Sequence, residues 1–256
     1  LEGCEGAYYL VHSVASARDY PEREERSAEG FRRAAERAGL RRIVYLGGVE
    51  PQGVPSAHLR SRLRCGQVLR SGRVPTFELR AAMIIGSGSA SWQMVHDLAQ
   101  RLPLMVFPRW MGNHSWPVSI EDVVFALVAA LALPAEQAGH YDVPGPERLS
   151  HRELLLRVAG LLGKHPAYLG VPLLSPRLSS YWIRLVSRVD LELARELVAG
   201  LESDLEPAAP TIWDVLPAHR RRTLEESVRF ALGEEAAVPV PQRASVEESR
   251  APMARH

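Results

Sequence analysis

Lysine is almost missing from this chain: Lys164 is the only one, and the remaining basic charge is arginine. That bias fits a GC-rich coding sequence better than a guanidinium-specific function. Cysteine is nearly as scarce. Cys4 and Cys65 lie far apart, so neither a disulfide framework nor a paired-cysteine zinc site can be built, and a reducing, cytoplasmic setting is expected. The nine histidines contain no His-x-x-x-His pair, so no metal site is expected. A net charge of +1 provides no long-range field for nucleic acid or an anionic membrane. The longest apolar run, Val123 to Leu133, has 11 residues, against the roughly 20 that a membrane span needs. The opening does not read as a secretory signal, because Leu1 is followed by Glu2 and Glu5 rather than by a basic and then an apolar stretch. It also lacks a starting methionine, which fits a partial or processed sequence. No Gly-x-Ser-x-Gly elbow points to a serine hydrolase, and no Gly-Lys-Ser or Gly-Lys-Thr to an NTPase.

What is present is ordinary globular usage, 46% hydrophobic and 24% charged over 256 residues, enough to bury a substantial core. Ala7 to Val11 is a short apolar run ending at His12 and Ser13, which reads as a buried strand reaching a polar tip. Asp19 before Pro21 opens a helix, along which Ala28, Phe31, Ala35 and Ala38 recur at helical spacing until Gly39 stops it. Ile43 to Leu46, too short and β-branched for a helix, completes a βαβ unit. The unit repeats: Leu59, Leu63 and Leu69 mark a helix closing near Ser71 and Gly72, and Val74 to Leu79 the next strand. Such alternation predicts a parallel sheet covered on both faces. Trp92, Val95 and Leu98 or Ala99 then mark a helix, and Met105 to Phe107 a short strand. Ser119 caps a helix from Ile120 to Leu133, apolar nearly all round and therefore expected to be buried. After a strand at His140 to Val143, Gly145-Pro146 turns the chain into mostly helical patterning, with capping boxes at Ser150/Glu153 and Thr223/Glu226. The expected organisation is α/β: a doubly wound parallel sheet over 1–144, a smaller helical lobe over 145–232, and a disordered tail over 233–256.

The one glycine cluster between a strand and a helix is Gly86-Ser87-Gly88-Ser89-Ala90-Ser91. It lacks the third glycine and the later acidic strand end of a dinucleotide fingerprint, so it reads as a loop entering a helix. His219-Arg220-Arg221-Arg222 reads as a solvated face before a helix, with nucleic-acid contact the lesser reading. Trp110, Trp116, Trp182 and Trp213 read as core or as walls of an apolar pocket between the lobes.

The order of segments carries more than any single motif. Tyr8-Tyr9-Leu10-Val11-His12-Ser13, Arg42-Ile43-Val44-Tyr45-Leu46-Gly47-Gly48, Leu79-Arg80-Ala81-Ala82-Met83-Ile84-Ile85-Gly86, Val118-Ser119-Ile120-Glu121-Asp122-Val123 and Tyr141-Asp142-Val143-Pro144-Gly145-Pro146 follow one another. Together they resemble the atypical extended short-chain dehydrogenase/reductases over about residues 5–232. The branch they look most like is that of the nitrogen-metabolite-repressor-like and complex I accessory NAD(P)H-binding proteins. Pro176-Arg177-Leu178-Ser179-Ser180-Tyr181-Trp182 looks typical of a bacterial subgroup.

The resemblance implies a Rossmann-like fold and NAD or NADP as cofactor. It also implies that the family's opening strand and glycine-rich pyrophosphate loop would lie upstream of Ala7, so the sheet is expected to start at the family's fourth strand and this chain alone to bind a dinucleotide weakly. In working members a strand-end serine orients the substrate, and a tyrosine four residues before a lysine transfers the proton, the cation favouring phenolate. The serine slot falls at Gly47 or Gly48, and the other two at His58 and Arg62. His58 could act as a proton donor and Arg62, one turn along the helix, could reach a ribose or phosphate. The other reading is a surface histidine beside an ordinary helix arginine. Expected cofactor contacts are His12 and Ser13 at one strand end, Gly47 and Gly48 at the next, and Arg80, Ala82, Met83 and Ile84 at a third. The glycines read equally well as close strand–helix packing, and Ser119 and Asp122 as helix capping. Two functions follow. One is reduction or epimerisation of a small or apolar substrate; the other is a non-enzymatic redox sensor or assembly factor acting through a protein partner.

Overall fold

The computed structural model describes residues 1, 3–11, 20–171, 189, 191–208 and 210–233. His12, Ser13, the cap at Asp19, the segment 176–182 and the tail from Glu234 lie outside them.

The chain opens with strand β1 (Gly6–Tyr9), helix α1 (Tyr20–Arg37), strand β2 (Arg42–Gly48), helix α2 (Ala57–Arg70) and strand β3 (Thr76–Ala81). Next come β4 (Ile84–Ile85), α3 (Ala90–Arg101), β5 (Leu104–Pro108), β6 (His114–Ser115), β7 (Val118–Ser119), α4 (Ile120–Ala130) and β8 (Gly139–Asp142). The remainder is β9 (Leu149–Ser150), α5 (His151–Leu161), β10 (Ala167–Val171), α6 (Leu191–Ala199), α7 (Ile212–Val215) and α8 (Leu224–Ala231).

β1, β2, β3 and β8 form one parallel sheet in that order. β2 and β3 are buried along nearly their whole length, as strands covered on both faces must be. On one face, Tyr9, Ile43 and Tyr45 pack against Ala28 and Ala35 of α1 and Cys65, Val68 and Leu69 of α2. On the other, Val44, Phe77, Leu79 and Tyr141 meet Val123, Ala126, Leu127 and Ala130 of α4. The expected sheet is therefore present, with helices on both faces.

Three expectations change. The strand around Met105 is not in the main sheet: β5 pairs in parallel with β10, which the sequence pattern did not mark. Its alternation explains the separation, for Met105 and Phe107 are buried while Leu104 and Val106 are exposed, the pattern of a strand covered on one side only. Helix α4 buries one face rather than all of itself, since Val124 and Val128 are 43% and 46% exposed. The 219–222 run is not a solvated face. The His219 ring stacks on Phe125 and Trp213 and its Nε2 lies 2.8 Å from Asp122. Arg221 donates to the Gly145 carbonyl and Arg222 pairs with Glu121, leaving Arg220 as the exposed member. Asp122 accepts the Arg222 backbone N–H at 2.9 Å, so this buried carboxylate ties the run to α4 instead of capping the helix.

The sheet and α2 meet at a buried ionic group. Glu78 on β3 is 0% exposed, and its carboxylate accepts from Arg70 of α2 at 2.7 Å and from Arg80 at 2.9 Å. Room for it comes from two glycines: a Cβ at Gly66 would fall within the carboxylate, and one at Gly47 would stand 3.1 Å from Oε1. Removing one member of such a group strands the others' charge, at a cost of about 3–5 kcal/mol. Because Arg70 keeps some access to water, Glu78→Gln is expected to lower the unfolding free energy by about 3 kcal/mol in a urea titration. Gly66→Ala should cost about 1–3 kcal/mol by overpacking. A loss under about 0.5 kcal/mol for Glu78→Gln, the range of ordinary surface changes, would show that the network does not hold α2 to the sheet.

Candidate functional site

The C-terminal ends of β2 and β3 open onto a cavity of about 310 Å³. Ligands of parallel sheets bind outside these ends. Three local features shape the cavity floor. Ser56 caps α2 by accepting from the Leu59 N–H at 3.3 Å, which starts the helix so that His58 and Arg62 fall in its first turns beside the strand ends. Arg62 donates to the Leu46 carbonyl at 2.6 Å, and its own carbonyl accepts the Tyr45 hydroxyl at 3.0 Å. Gly48 lets the helix close on the strand, for a Cβ there would lie 3.0 Å from Leu59 and 3.7 Å from Arg62.

The roof comes from elsewhere in the chain. Glu196 of α6 accepts the His58 backbone N–H at 3.1 Å, while Met94 of α3 packs on Ala194 and Val198. Trp110, Met111, Leu154 and Leu155 complete a mostly apolar lining. Within it stand Ser115 of β6 and His151, the first residue of α5. Ser115 Oγ, His151 Nε2 and His58 Nδ1 are buried and have no hydrogen-bond partner among the described residues. Burial pushes both imidazoles down to about 4, with the Arg62 cation adding to the effect at His58 and His114 adding at His151. Both rings are therefore neutral at pH 7, imidazole rather than imidazolium.

Of the residues singled out in the sequence, Gly47, Gly48, His58, Arg62, Ala82, Met83 and Ile84 all line this cavity. Arg80 does not. It is held by Glu78 and, at 3.6 Å, by Glu50. His12 and Ser13 lie outside the described residues. The Gly86 loop enters α3 as expected: Ser89 accepts from the Trp92 N–H, Gly88 has φ +85°, and a Cβ at Gly86 would meet Ile120 at 2.5 Å. Among the tryptophans, Trp110 is a wall, whereas Trp213 donates to the Pro144 carbonyl and Trp116 to Glu206; Trp182 lies outside the described residues.

Sequence reasoning missed Ser115, His151 and Glu196. For His151 a signal existed. It shares the helical stripe of Leu154, Leu155 and Val158, and a histidine on an apolar stripe is a buried polar group. Among the described residues, no cluster of three or more His, Cys, Asp or Glu could hold a metal ion, and no helix is long and apolar enough to cross a membrane.

The sequence matches no protein-family model and no curated protein. Solved structures do match it. A nucleoside-diphosphate-sugar epimerase from Staphylococcus aureus superposes with TM-score 0.68 at 14% identity, over 89% of this chain and 77% of that one. The triphenylmethane reductase of Citrobacter sp., complexed with NADP(H), gives 0.67 at 13% identity, over 90% and 78%. An Escherichia coli NADPH-dependent quinone oxidoreductase, complexed with NADPH, gives 0.65 at 16% identity, over 90% and 77%. At these identities the likeness shows the fold, a Rossmann-like α/β arrangement shared with NAD(P)-dependent epimerases and reductases.

The two histidines give stability a pH dependence. Each titrates near 6.5 when unfolded and near 4 when folded, so between those values the unfolded chain binds more protons. Their contribution is complete above about pH 6.5 and is lost as pH falls through about 4, on the order of 3 kcal/mol for each ring. Urea unfolding at a series of pH values between these limits should therefore show a steeper decline for the native chain than for His151→Leu. Equal slopes would show that His151 titrates normally in the folded state.

Proposed function

We propose that the cavity holds the nicotinamide end of a dinucleotide, NAD or NADP, beside a small, mostly apolar substrate that is reduced or epimerised there. The observation that carries this reading is the convergence of His58, Arg62, Gly48 and the 82–84 segment outside the ends of β2 and β3, the side on which parallel sheets bind nucleotides. The resemblance to atypical short-chain dehydrogenase/reductases and the NAD(P)H complexes among the structural neighbours support it. In this reading residues 1–144 supply the nucleotide side of the site, and 145–232 together with Ser115 of β6 the substrate side.

The fit is to one end of the cofactor. A volume of about 310 Å³ is at the small end of ligand cavities, and its apolar floor and the bare Gly48 suit a flat ring. No pyrophosphate cradle is found among the described residues, because the glycines of the Gly86 loop are used for a turn and for contact with Ile120. When bound, a reduced nicotinamide supplies a hydride. The chain's own part is electrostatic. Neutral His58 donates a hydrogen bond to a substrate oxygen as negative charge builds on it, which a fixed neutral imidazole can do. Arg62, held at the end of β2 by the Leu46 carbonyl, meets a ribose or phosphate oxygen.

A second reading, a nucleotide-dependent sensor or assembly factor, draws on a specific observation. The serine slot at Gly47 and Gly48 is tight: a Cβ would stand 3.1 Å from Glu78 at the first and 3.0 Å from Leu59 at the second, so a side chain there would have to push them aside. A partner that bound with different affinity to the oxidised and reduced forms would favour that reading.

Calorimetric titration with NADH, NADPH and reduced nicotinamide mononucleotide tests the proposal. Saturable binding is expected, with the mononucleotide within about tenfold of the whole dinucleotide because its end is the part gripped, and with Arg62→Ala weaker by about tenfold or more. Absence of saturation with all three would overturn the reading.

A further inference from the structure

Ser115 and His151 have no task in the nucleotide reading, although they are brought together from separate segments. β6 pairs antiparallel with β9, Ser115 opposite Leu149, and α5 begins at His151 directly after β9. The two residues are 1% and 6% exposed. A buried polar atom left unpaired costs about 1–3 kcal/mol, so a fold keeps few of them. Five such side-chain atoms occur among the described residues, and three, on His58, Ser115 and His151, belong to the walls of this one cavity. Their concentration there points to a ligand as the missing partner.

The surroundings define what that ligand can be. Apolar side chains, leucine and methionine foremost, make up most of the lining, and they offer nothing to the several hydroxyls of a sugar, many of which would lose their water without compensation. The charged walls are Arg62 and Glu196, one of each sign, bonded to the Leu46 carbonyl and the His58 N–H. Burial keeps both imidazoles uncharged at neutral pH. A neutral imidazole and a hydroxyl each donate or accept one hydrogen bond, which suits a carbonyl or an alcohol and does not balance a phosphate.

We infer that the substrate of this cavity is an uncharged, mostly apolar molecule whose carbonyl or hydroxyl group is held by Ser115 and His151, and that sugar nucleotides are excluded. This rests on the reading of the cavity as the substrate site, and it singles out the reduction of neutral carbonyl compounds over epimerisation of nucleotide-linked sugars.

The test is equilibrium binding to the full chain, with no dinucleotide present, of acetylnaphthalene, of ethylnaphthalene as its counterpart without a carbonyl, and of UDP-glucose. Acetylnaphthalene should bind tightest of the three. Ser115→Ala and His151→Leu should each weaken it about 3- to 10-fold while leaving ethylnaphthalene unchanged, and His151→Gln, which keeps a donor, should recover most of the loss. Unliganded Ser115→Ala should melt at the same temperature as the native chain or higher, because an unpaired buried hydroxyl has been removed. UDP-glucose binding tighter than acetylnaphthalene would overturn the inference. So would acetylnaphthalene affinities within twofold of native in both Ser115→Ala and His151→Leu, or a lowered melting temperature for Ser115→Ala, which a purely structural hydroxyl would produce. Because no cofactor is used, failure here leaves the Arg62 titration standing, and failure of that titration leaves this result standing.

Discussion

A carboxylate removed from water sets the geometry on which the site depends. Glu78 lies on the central strand pair of the sheet and faces α2, where Arg70 reaches it from the helix and Arg80 from its own strand. Isolated, such a charge would be far too costly to bury; with two guanidiniums its desolvation is offset by short, charge-assisted hydrogen bonds. The arrangement also needs empty space, which Gly47 and Gly66 provide by having no side chain. Height and tilt of α2 over β2 and β3 follow from this packing. At the other end of the same helix, Arg62 and Tyr45 bond the helix to the strand, and His58 is carried to the cavity edge. The residues that would perform chemistry are thus placed by residues that perform none.

Much of this was legible in the sequence because it is local. Alternating short apolar runs and amphipathic stretches mark the βαβ units, and Ser150/Glu153 and Thr223/Glu226 make the reciprocal capping bonds that their spacing implies. The strand ends, Gly47-Gly48 and Ala82 to Ile84, were readable as neighbours lining one cavity because the C-terminal ends of a parallel sheet open on the same side. What escaped has a common cause in long-range contact. Two-residue strands such as β4, β6, β7 and β9 carry no periodicity. β10 finds its partner in a strand far back in the chain. The 219–222 run looks solvent-facing until Asp122, Phe125 and Trp213 are folded around it. Glycine readings divided in the same way. At Gly47 the packing explanation is directly visible, and at Gly48 packing and access to the cavity coincide.

The unpaired atoms of the cavity raise the question of why the chain does not relax to satisfy them. The backbone around Ser115 is held from two sides, so the residue cannot move as a whole. Asn113 donates its side-chain N–H to the Leu201 carbonyl at 2.9 Å, His114 N–H donates to Asp204 at 2.6 Å, and the Leu205 N–H returns to the His114 carbonyl at 2.9 Å. On the other side the His151 N–H donates to the Asn113 carbonyl at 3.0 Å. Each of these bonds orders the backbone of the corner while leaving its two inward-facing polar side chains unanswered. A site whose supporting bonds are complete and whose inner groups are not is organised in advance of its ligand. The stability given up at the inner groups is the part a ligand could return on binding, and in the proposed reading the corner built by β6 and β9 is a rigid recognition element, set opposite helix α2, which Glu78 holds in place.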